Sequence, residues 1–456
     1  MKICFFQKAT PRPDQLNAEG QVTDRSVLNR DRMKIGITSL MSNGEESAFG
    51  PIHTVVVRAL GGAEFHLGLV SAVNYGSCIF LWMGPVLLHL LRSNAKAMRM
   101  VLMAGLLSVT LLALSVLSAA MWPAYKGIIL IAYLLLVFCM SGISGVQGIV
   151  EANWIGDLVP VSLRGWFTSV KWMIVAVGML GFVLLFGQIA ARWPTLPAYA
   201  VMFVVIAISH VVALVMTASV TDRSPQTTNL ISNRHHEERL NYKNAALWKY
   251  IWFYVPWAGG RTALVAFSTA YMLDSLNYTM DKILMVFAIT NFINIFMLLI
   301  MGKVSDRTGT RLPLAFISGF AALSMLLWVS SAWWGVIPII IYQFINGAAG
   351  TTHMMLATNY GLEILPAKGR GGYISFVRLL VGISAALASV LSGVIMHAIK
   401  GWTTVLWGAE INHYHIFFLG CALLTLTSVL PLFLSGKNKG TNQFDMDREA
   451  KGNKPE

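Results

Sequence analysis

The sequence predicts an all-α membrane protein in which twelve transmembrane helices form two pseudo-symmetric six-helix bundles. Two independent observations lead to this fold class. First, 56% of the 456 residues are hydrophobic and only 12% are charged, whereas a soluble chain carries about 25% charged residues. Second, a polar stretch between two long apolar runs recurs half a chain later, which indicates an internal duplication.

Apolar runs of about 20 residues, the length that a helix needs to cross about 30 Å of hydrocarbon, follow one another along nearly the whole chain. Helices are expected for all of them, because a segment in lipid must satisfy its own backbone hydrogen bonds. The predicted spans, numbered 1 to 12 in chain order, are residues 35–60, 67–91, 99–121, 127–150, 165–189, 196–219, 248–273, 282–302, 313–334, 336–360, 372–398 and 413–435.

The duplicated stretch runs from Asn153 to Gly165 and returns from Asn359 to Gly371, 206 positions later. Asn, an aromatic residue, an acid, two aliphatic residues, Pro and Arg-Gly fall in the same register in both copies. Each copy is expected to be a loop that joins two spans. The repeat predicts two homologous halves, residues 33–219 and 248–436, with polar segments at 1–32, 220–247 and 437–456 as a tail, a linker and a second tail.

Basic residues are distributed asymmetrically between alternate loops. If both termini are cytoplasmic, the loops on the opposite side carry only five basic residues, which are Arg58, Lys126, Arg192, Lys282 and Lys400. This asymmetry follows the positive-inside rule, so we expect a multi-pass protein of the cytoplasmic membrane with both termini inside. The net charge of +13 therefore describes orientation in the bilayer, and no nucleic-acid partner is expected.

Several chemistries lack their sequence signals. The four cysteines form no CxxC pair, and we see no metal-ligand spacing, nucleotide-binding loop or nucleophile elbow. We therefore expect no cofactor, no metal, no catalytic residues and no enzymatic activity. A monomer is expected.

A motif between spans 8 and 9 resembles the signature loop of the major facilitator superfamily. Gly302 precedes Asp306-Arg307 by four residues, and Gly309 and Arg311 follow. The Pro and Arg-Gly of the duplicated stretches are similar to that superfamily's loops after helices 4 and 10. The resemblance implies two six-helix halves that carry a solute, with a charge cluster that steadies the outward-facing state.

The charges of these loops could form a conformational latch in which Arg307 and Arg311 pair with Glu363. Ordinary positive-inside charge would explain the arginines but not the spacing of the Gly and the Asp. In the first half, Leu88 stands where Asp306 would be, so Asp157 could use Arg92 instead. The complete set of candidate latch residues is Gly302, Asp306, Arg307, Gly309, Arg311, Glu363, Arg370, Asp157 and Arg164.

Two adjacent acids in span 1, Glu45 and Glu46, are the candidates for proton coupling. They lie about 15 Å past Ile35, near the bilayer midplane where such transporters hold substrate and ions. Two neighbouring carboxylates cannot both be ionised cheaply in a low-dielectric cavity, so one is expected to hold a proton. The alternative is that span 1 begins near Ala48 and leaves both acids in cytoplasmic water.

Basic residues inside other spans are candidates for binding an anion. Counting from the glycines Gly44 and Gly259 places Arg261 of span 7 opposite Glu46, either as a switchable pair or as a permanent one. Lys171 in span 5 and Arg378 in span 11 would either bind an anionic solute or extend to the interface. The remaining candidate cavity residues are Asn43, Gln147, Glu151, Asn291, Asn294, Gln343, Asn346 and His353, of which His353 is either a proton relay or a satisfied buried histidine.

Together these features predict a secondary transporter that moves a small polar solute, with anions among the candidates, by alternating access and is driven by protons, as a symporter. Its partners would be that solute, protons and lipid. Export of amphipathic compounds is an alternative, although span 5 lacks the Gly-Pro signature of drug antiporters. A sensor with the same fold and no transport is a second alternative.

Overall fold

Twelve helical spans make up the computed structural model, which describes residues 21–221, 242–308, 311–365 and 370–434. The prediction of twelve transmembrane helices in two halves is confirmed. The spans of the first half are Arg25–Ser42 with Phe49–Ala59, Glu64–Gly76 with Met83–Leu91, Asn94–Met121, Lys126–Leu158, Val161–Arg192 and Leu196–Ala218. Those of the second half are Ala245–Asp274, Met280–Thr308, Arg311–Ser324 with Leu326–Trp334, Ile337–Ile364, Arg370–Ala398 and His413–Thr427 with Leu430–Leu434.

Nine of these spans are long and apolar enough to cross a membrane, judged on the described residues alone. The others are spans 1, 7 and 10, where most of the polar candidate residues were predicted. A polar span is stable in lipid only where it faces protein or a water-filled cavity. The composition of spans 1, 7 and 10 therefore points to the centre of the bundle.

Span 1 is interrupted in its middle. Its first helix begins at Arg25, ten residues before the expected start, because the Asp24 side chain caps it by accepting a hydrogen bond from Ser26 N at 2.7 Å. The helix ends at Ser42, and Glu45–Ala48 form one 3₁₀ turn before Phe49–Ala59 continues the span. Side chains such as that of Asn43, which donates to Ser39 O at 2.8 Å, compete with the helical backbone and favour this break.

The duplicated stretch is more helical than expected. Span 4 continues to Leu158 and span 5 begins at Val161, so the first copy leaves only Val159 and Pro160 outside a helix. In the second copy span 10 continues to Ile364, and residues 366–369 lie outside the described part of the chain. The prediction of a long loop was wrong because the polar residues of the stretch occupy the ends of two long helices.

Two short strands, β1 (Thr403–Leu406) and β2 (Ala409–Asn412), form an antiparallel hairpin between spans 11 and 12. The sequence analysis did not predict this hairpin. It lies on the side of the bundle opposite to the start of span 1, which we call the distal side. The side where span 1 begins and span 12 ends is the terminal side.

The two halves are in contact along spans 2 and 11 and along spans 5 and 8. A Cβ on Gly68 would lie 2.5 Å from Ser389 O, and a Cβ on Gly393 would lie 3.1 Å from Phe65 Cα. Gly187 lies close to Leu284 in the second seam. These glycines lie near the distal ends of their helices, so the halves meet closely on the distal side. The contact between spans 2 and 11 continues to mid-span, where a Cβ on Gly382 would lie 2.6 Å from Cys78 Sγ.

The variant Gly68→Ala should be destabilised by about 1–3 kcal/mol, because its new methyl group would overlap backbone atoms of span 11. The matched control is Gly76→Ala in the same helix, where the added Cβ would lie 3.7 Å from Ala386 Cβ, an ordinary contact. Thermal unfolding in detergent measures both. Equal melting temperatures for the two variants would contradict this packing.

Candidate functional site

A buried ion pair crosslinks spans 4 and 5 in the first half. Lys171 Nζ contacts Glu151 Oε1, and Ser39 Oγ of span 1 donates to Glu151 Oε2 at 2.6 Å. The residues are 4%, 7% and 1% exposed, respectively. Extension of Lys171 to the interface is therefore wrong, since its charge is held inside the bundle. The pair neutralises itself, which removes Lys171 as a free cation for a solute.

One turn away, a second contact joins spans 1 and 4. Gln147 Nε2 donates to Ser42 Oγ at 2.6 Å, and Ser42 Oγ in turn donates to Thr38 O at 2.8 Å. Both Gln147 and Ser42 are buried. Gln147 and Ser42 thus satisfy each other and hold the broken span 1 against span 4.

The equivalent positions of the second half make a different contact. The correspondence of Gly44 with Gly259 places Trp257 opposite Ser42, and that of the duplicated stretches places His353 opposite Gln147. The Trp257 and His353 rings stack at 3.8 Å with an angle of 12°. His353 is fully buried, and neither ring nitrogen has a hydrogen-bond partner in the described part of the protein. The alternative of a satisfied buried histidine is therefore wrong.

Arg261 lies beside this stack. Its Nη2 would be 3.1 Å from a Cβ on Gly350, so the guanidinium lies directly on the backbone of span 10. Among the residues whose side chains are described, Arg261 makes no ion pair or hydrogen bond. A second cation, Arg378, is exposed, and its charge acts on Tyr250 and Tyr254. Unlike the first half, the second half presents cationic side chains without a described acid.

The depth of Arg261 can be compared with that of Glu46. An ion pair of 2.8 Å joins Arg58 near the distal end of span 1 to Asp274 at the distal end of span 7. Glu46 lies twelve residues before Arg58, and Arg261 lies thirteen residues before Asp274. At 1.5 Å per residue both lie about 20 Å from this pair and hence at similar depth. Glu46 is exposed, and the side chain of Glu45 lies outside the described residues.

The other candidate cavity residues lie on spans 1, 8 and 10. Thr290 Oγ1 donates to Gln343 Oε1 at 2.7 Å and links span 8 to span 10. Asn291, Asn294 and Asn346 are half-buried, and Asn294 Oδ1 is a buried acceptor without a partner in the described structure. Asn43 caps the first helix of span 1 rather than lying within a helix.

Most of the candidate latch lies outside the described side chains, namely Gly302, Asp306, Arg307, Gly309, Glu363, Arg370 and Arg164. Of the two described members, Arg311 donates from Nε to Leu432 O at 2.9 Å. Asp157 accepts from Asn94 Nδ2 at 2.8 Å and from Asn153 Nδ2 at 3.3 Å. Asn94 was not singled out in the sequence, although it follows directly on the basic loop that contains Arg92.

Sequence reasoning also missed a lattice of charges on the distal side. Arg58 Nη2 lies 3.1 Å from Glu64 as well as 2.8 Å from Asp274, and Lys400 Nζ lies 3.1 Å from Glu64. The Tyr414 hydroxyl donates to Asp274 Oδ2 at 2.7 Å. Arg58 and Glu64 belong to the first half and the other residues to the second, so this distal lattice joins the halves. Pairing between distant loops has no local sequence signal.

The single variants Lys171→Met and Glu151→Gln should each be destabilised by about 3–5 kcal/mol, because each leaves a buried group without its charged partner. The double variant should lose much less than the sum, and thermal unfolding of all four proteins gives the coupling energy. Additive losses would show that the two side chains do not stabilise each other.

Comparison with known proteins agrees with this architecture. The profile of the Major Facilitator Superfamily matches residues 35–363. The chain is 29% identical over 121 residues to the putative metabolite transport protein YyaJ of Bacillus subtilis (strain 168), and this match spans 26% of each protein.

Solved structures share the fold at low sequence identity. The D-xylose-proton symporter aligns with a TM-score of 0.64 and 14% identity over 90% of this chain and 96% of its own. The nucleoside transporter NupG aligns with a TM-score of 0.62 and 11% identity over 89% of this chain and 98% of its own. A bacterial homologue of the iron transporter ferroportin, in its inward-facing state, aligns with a TM-score of 0.64 and 13% identity. This alignment covers 89% of this chain and 98% of the homologue. The chain therefore belongs to the Major Facilitator Superfamily and is a multi-pass membrane transporter, not an enzyme.

Proposed function

We propose that this protein is a secondary active transporter that moves a small polar anion across the cytoplasmic membrane by alternating access, coupled to protons. The observation that carries the proposal is Arg261, a cation at the depth of Glu46 without a described acidic partner. Placing a lone charge inside a membrane bundle is unfavourable, and such residues mark solute and ion pathways. An anionic solute would supply the missing negative charge.

The contrast with Lys171 supports the choice of Arg261. Both are basic residues within spans, yet Lys171 already has Glu151 as a buried partner. A guanidinium also presents a planar fork of donors that matches a carboxylate or a phosphate in two hydrogen bonds. Arg378, which is exposed on span 11, adds positive charge to the same half. The second half is thus proposed as the anion-binding half.

The packing of the halves, taken as 33–219 and 248–436, supports alternating access. The distal ends of spans 2 and 11 are closely packed, and the distal lattice joins the halves there. The terminal part of span 2, Met83–Leu91, packs instead on spans 3 and 4 of its own half. With the termini in the cytoplasm, this is an inward-facing state. Rocking of the halves would break the distal lattice and close the terminal side.

Glu45 and Glu46 are proposed as the proton-coupling pair. They lie in the break of span 1, where the chain changes from helix to a 3₁₀ turn and the Glu46 side chain is exposed. A proton on one of the two carboxylates would neutralise its charge. The loaded transporter could then pass through the low-dielectric state in which the cavity is closed on both sides. Protons and the anion would then move in the same direction.

The variant Arg261→Gln should weaken anion binding about tenfold to a hundredfold while the protein stays folded, because it removes charged donors that make no hydrogen bond or ion pair with the described residues. Ligand-induced thermal stabilisation measures this across carboxylates, phosphates, D-xylose and nucleosides. The control is Arg192→Gln, which removes an exposed arginine on the distal side. Stabilisation by anions that survives in Arg261→Gln would contradict the proposed site.

The variants Glu45→Gln and Glu46→Gln separate coupling from binding. In proteoliposomes, loss of the coupling carboxylate should abolish uptake driven by a pH gradient and leave solute exchange at equal pH intact. The control variant is Glu410→Gln, which removes an exposed acid of the distal hairpin. If both glutamine variants keep full pH-driven uptake, the proton-coupling role is wrong.

A further inference from the structure

A small cavity lies between the two halves just distal to Arg261 and Glu46. It measures about 40 Å³, room for a group of a few non-hydrogen atoms. Its lining includes four small polar residues, Thr54 of span 1, Ser71 and Asn74 of span 2, and Thr262 of span 7, together with Tyr75 and apolar side chains. Thr262 directly follows Arg261 in the chain, so the cavity adjoins the proposed anion site.

The hydroxyl groups of the cavity threonines are not bonded to the helical backbone. A helical threonine commonly donates to the carbonyl oxygen four residues earlier. Three threonines of other spans, Thr110, Thr217 and Thr425, make this bond at 2.7–2.8 Å, whereas Thr269 and Thr352 lack a described partner. Thr54 and Thr262 are 5% and 3% exposed, yet neither has a hydrogen-bond partner within the described structure. Their hydroxyl groups line the cavity and are available to a ligand.

The side chains of Ser71 and Asn74 are likewise without hydrogen bonds in the described part of the chain. An amide group both donates and accepts, and each hydroxyl group can do the same. The four residues therefore match a neutral, hydroxyl-bearing group better than a second charge or an apolar group. An apolar occupant would leave the buried hydroxyl groups of Thr54 and Thr262 without described partners, which is unfavourable.

From this geometry we propose that the cavity binds the hydroxyl-bearing end of the transported solute, whose anionic group binds Arg261. The solute class is thus hydroxylated organic acids. The inference rests on the proposed function and extends it by naming the substrate class. Because Thr54, Ser71 and Asn74 come from one half and Thr262 from the other, the bound hydroxyl group also bridges the halves and stabilises the state that is closed on the distal side.

Paired probes test this subsite: gluconate against hexanoate, malate against succinate, and lactate against propionate. Thermal stabilisation gives the affinity of each acid for the purified full-length protein. The native protein should prefer at least one hydroxy acid about tenfold over its deoxy counterpart, as a buried hydrogen bond implies. The variant Thr262→Val keeps the shape of the side chain, so it should lose this preference and retain affinity for the deoxy acid.

The control variant is Thr217→Val, which removes a buried threonine hydroxyl of span 6 outside the cavity and should keep the preference. The subsite is overturned if Thr262→Val still prefers the hydroxy acid over its deoxy counterpart. It is also overturned if the native protein shows no such preference in any of the three pairs. The variant Arg261→Gln should weaken both members of a pair equally. If it does so while Thr262→Val changes nothing, the subsite is wrong and the anion site stands. If Thr262→Val removes the preference while Arg261→Gln changes nothing, the subsite stands and the anion site is wrong.

Discussion

The unequal neutralisation of buried charge governs the arrangement of this protein. A charged side chain inside a membrane bundle requires a partner, a water-filled cavity or a ligand. In the first half Lys171 has Glu151, and Ser39 completes the network. In the second half Arg261 lies on the backbone of Gly350 and beside an aromatic stack, with no described acid. The cation Lys171 of the first half is thus neutralised within its own half, whereas Arg261 of the second half leaves a place for an anion.

The halves differ in chemistry but share their framework. The same symmetry that brings Ser42 to Gln147 in the first half brings Trp257 to His353 in the second. The first pair is polar and satisfied, and the second is an aromatic stack whose imidazole nitrogens have no described partner. A duplicated bundle can therefore keep its packing while one half supplies stability and the other supplies the binding groups. The small cavity at Thr262 lies where the two halves meet.

Much of the fold could be predicted from sequence, because apolar runs of span length and an internal repeat in matching register are strong signals. The boundaries were less predictable: the cap at Asp24 extends span 1, and the polar residues from Asn153 to Asp157 continue span 4 instead of forming a loop. The sequence placed Glu46 and Arg261 at equivalent depth but gave no sign that Lys171 and Glu151 pair. Contacts such as Glu64 with Lys400 depend on how distant helices pack, and nothing local encodes them.

The central claim is that the guanidinium of Arg261 lies at the depth of Glu46, has no acid beside it among the described residues, and is reached from the terminal side. Thr262→Cys, in a chain whose four native cysteines are replaced, places a thiol beside Arg261. The most direct measurement is the rate at which this thiol reacts with anionic and cationic thiosulfonates, each relative to a free thiol in solution. We predict that the anionic reagent reacts faster, only from the terminal side, and that Arg261→Gln removes the difference. Equal rates for both reagents, or reaction from the distal side, would contradict this account.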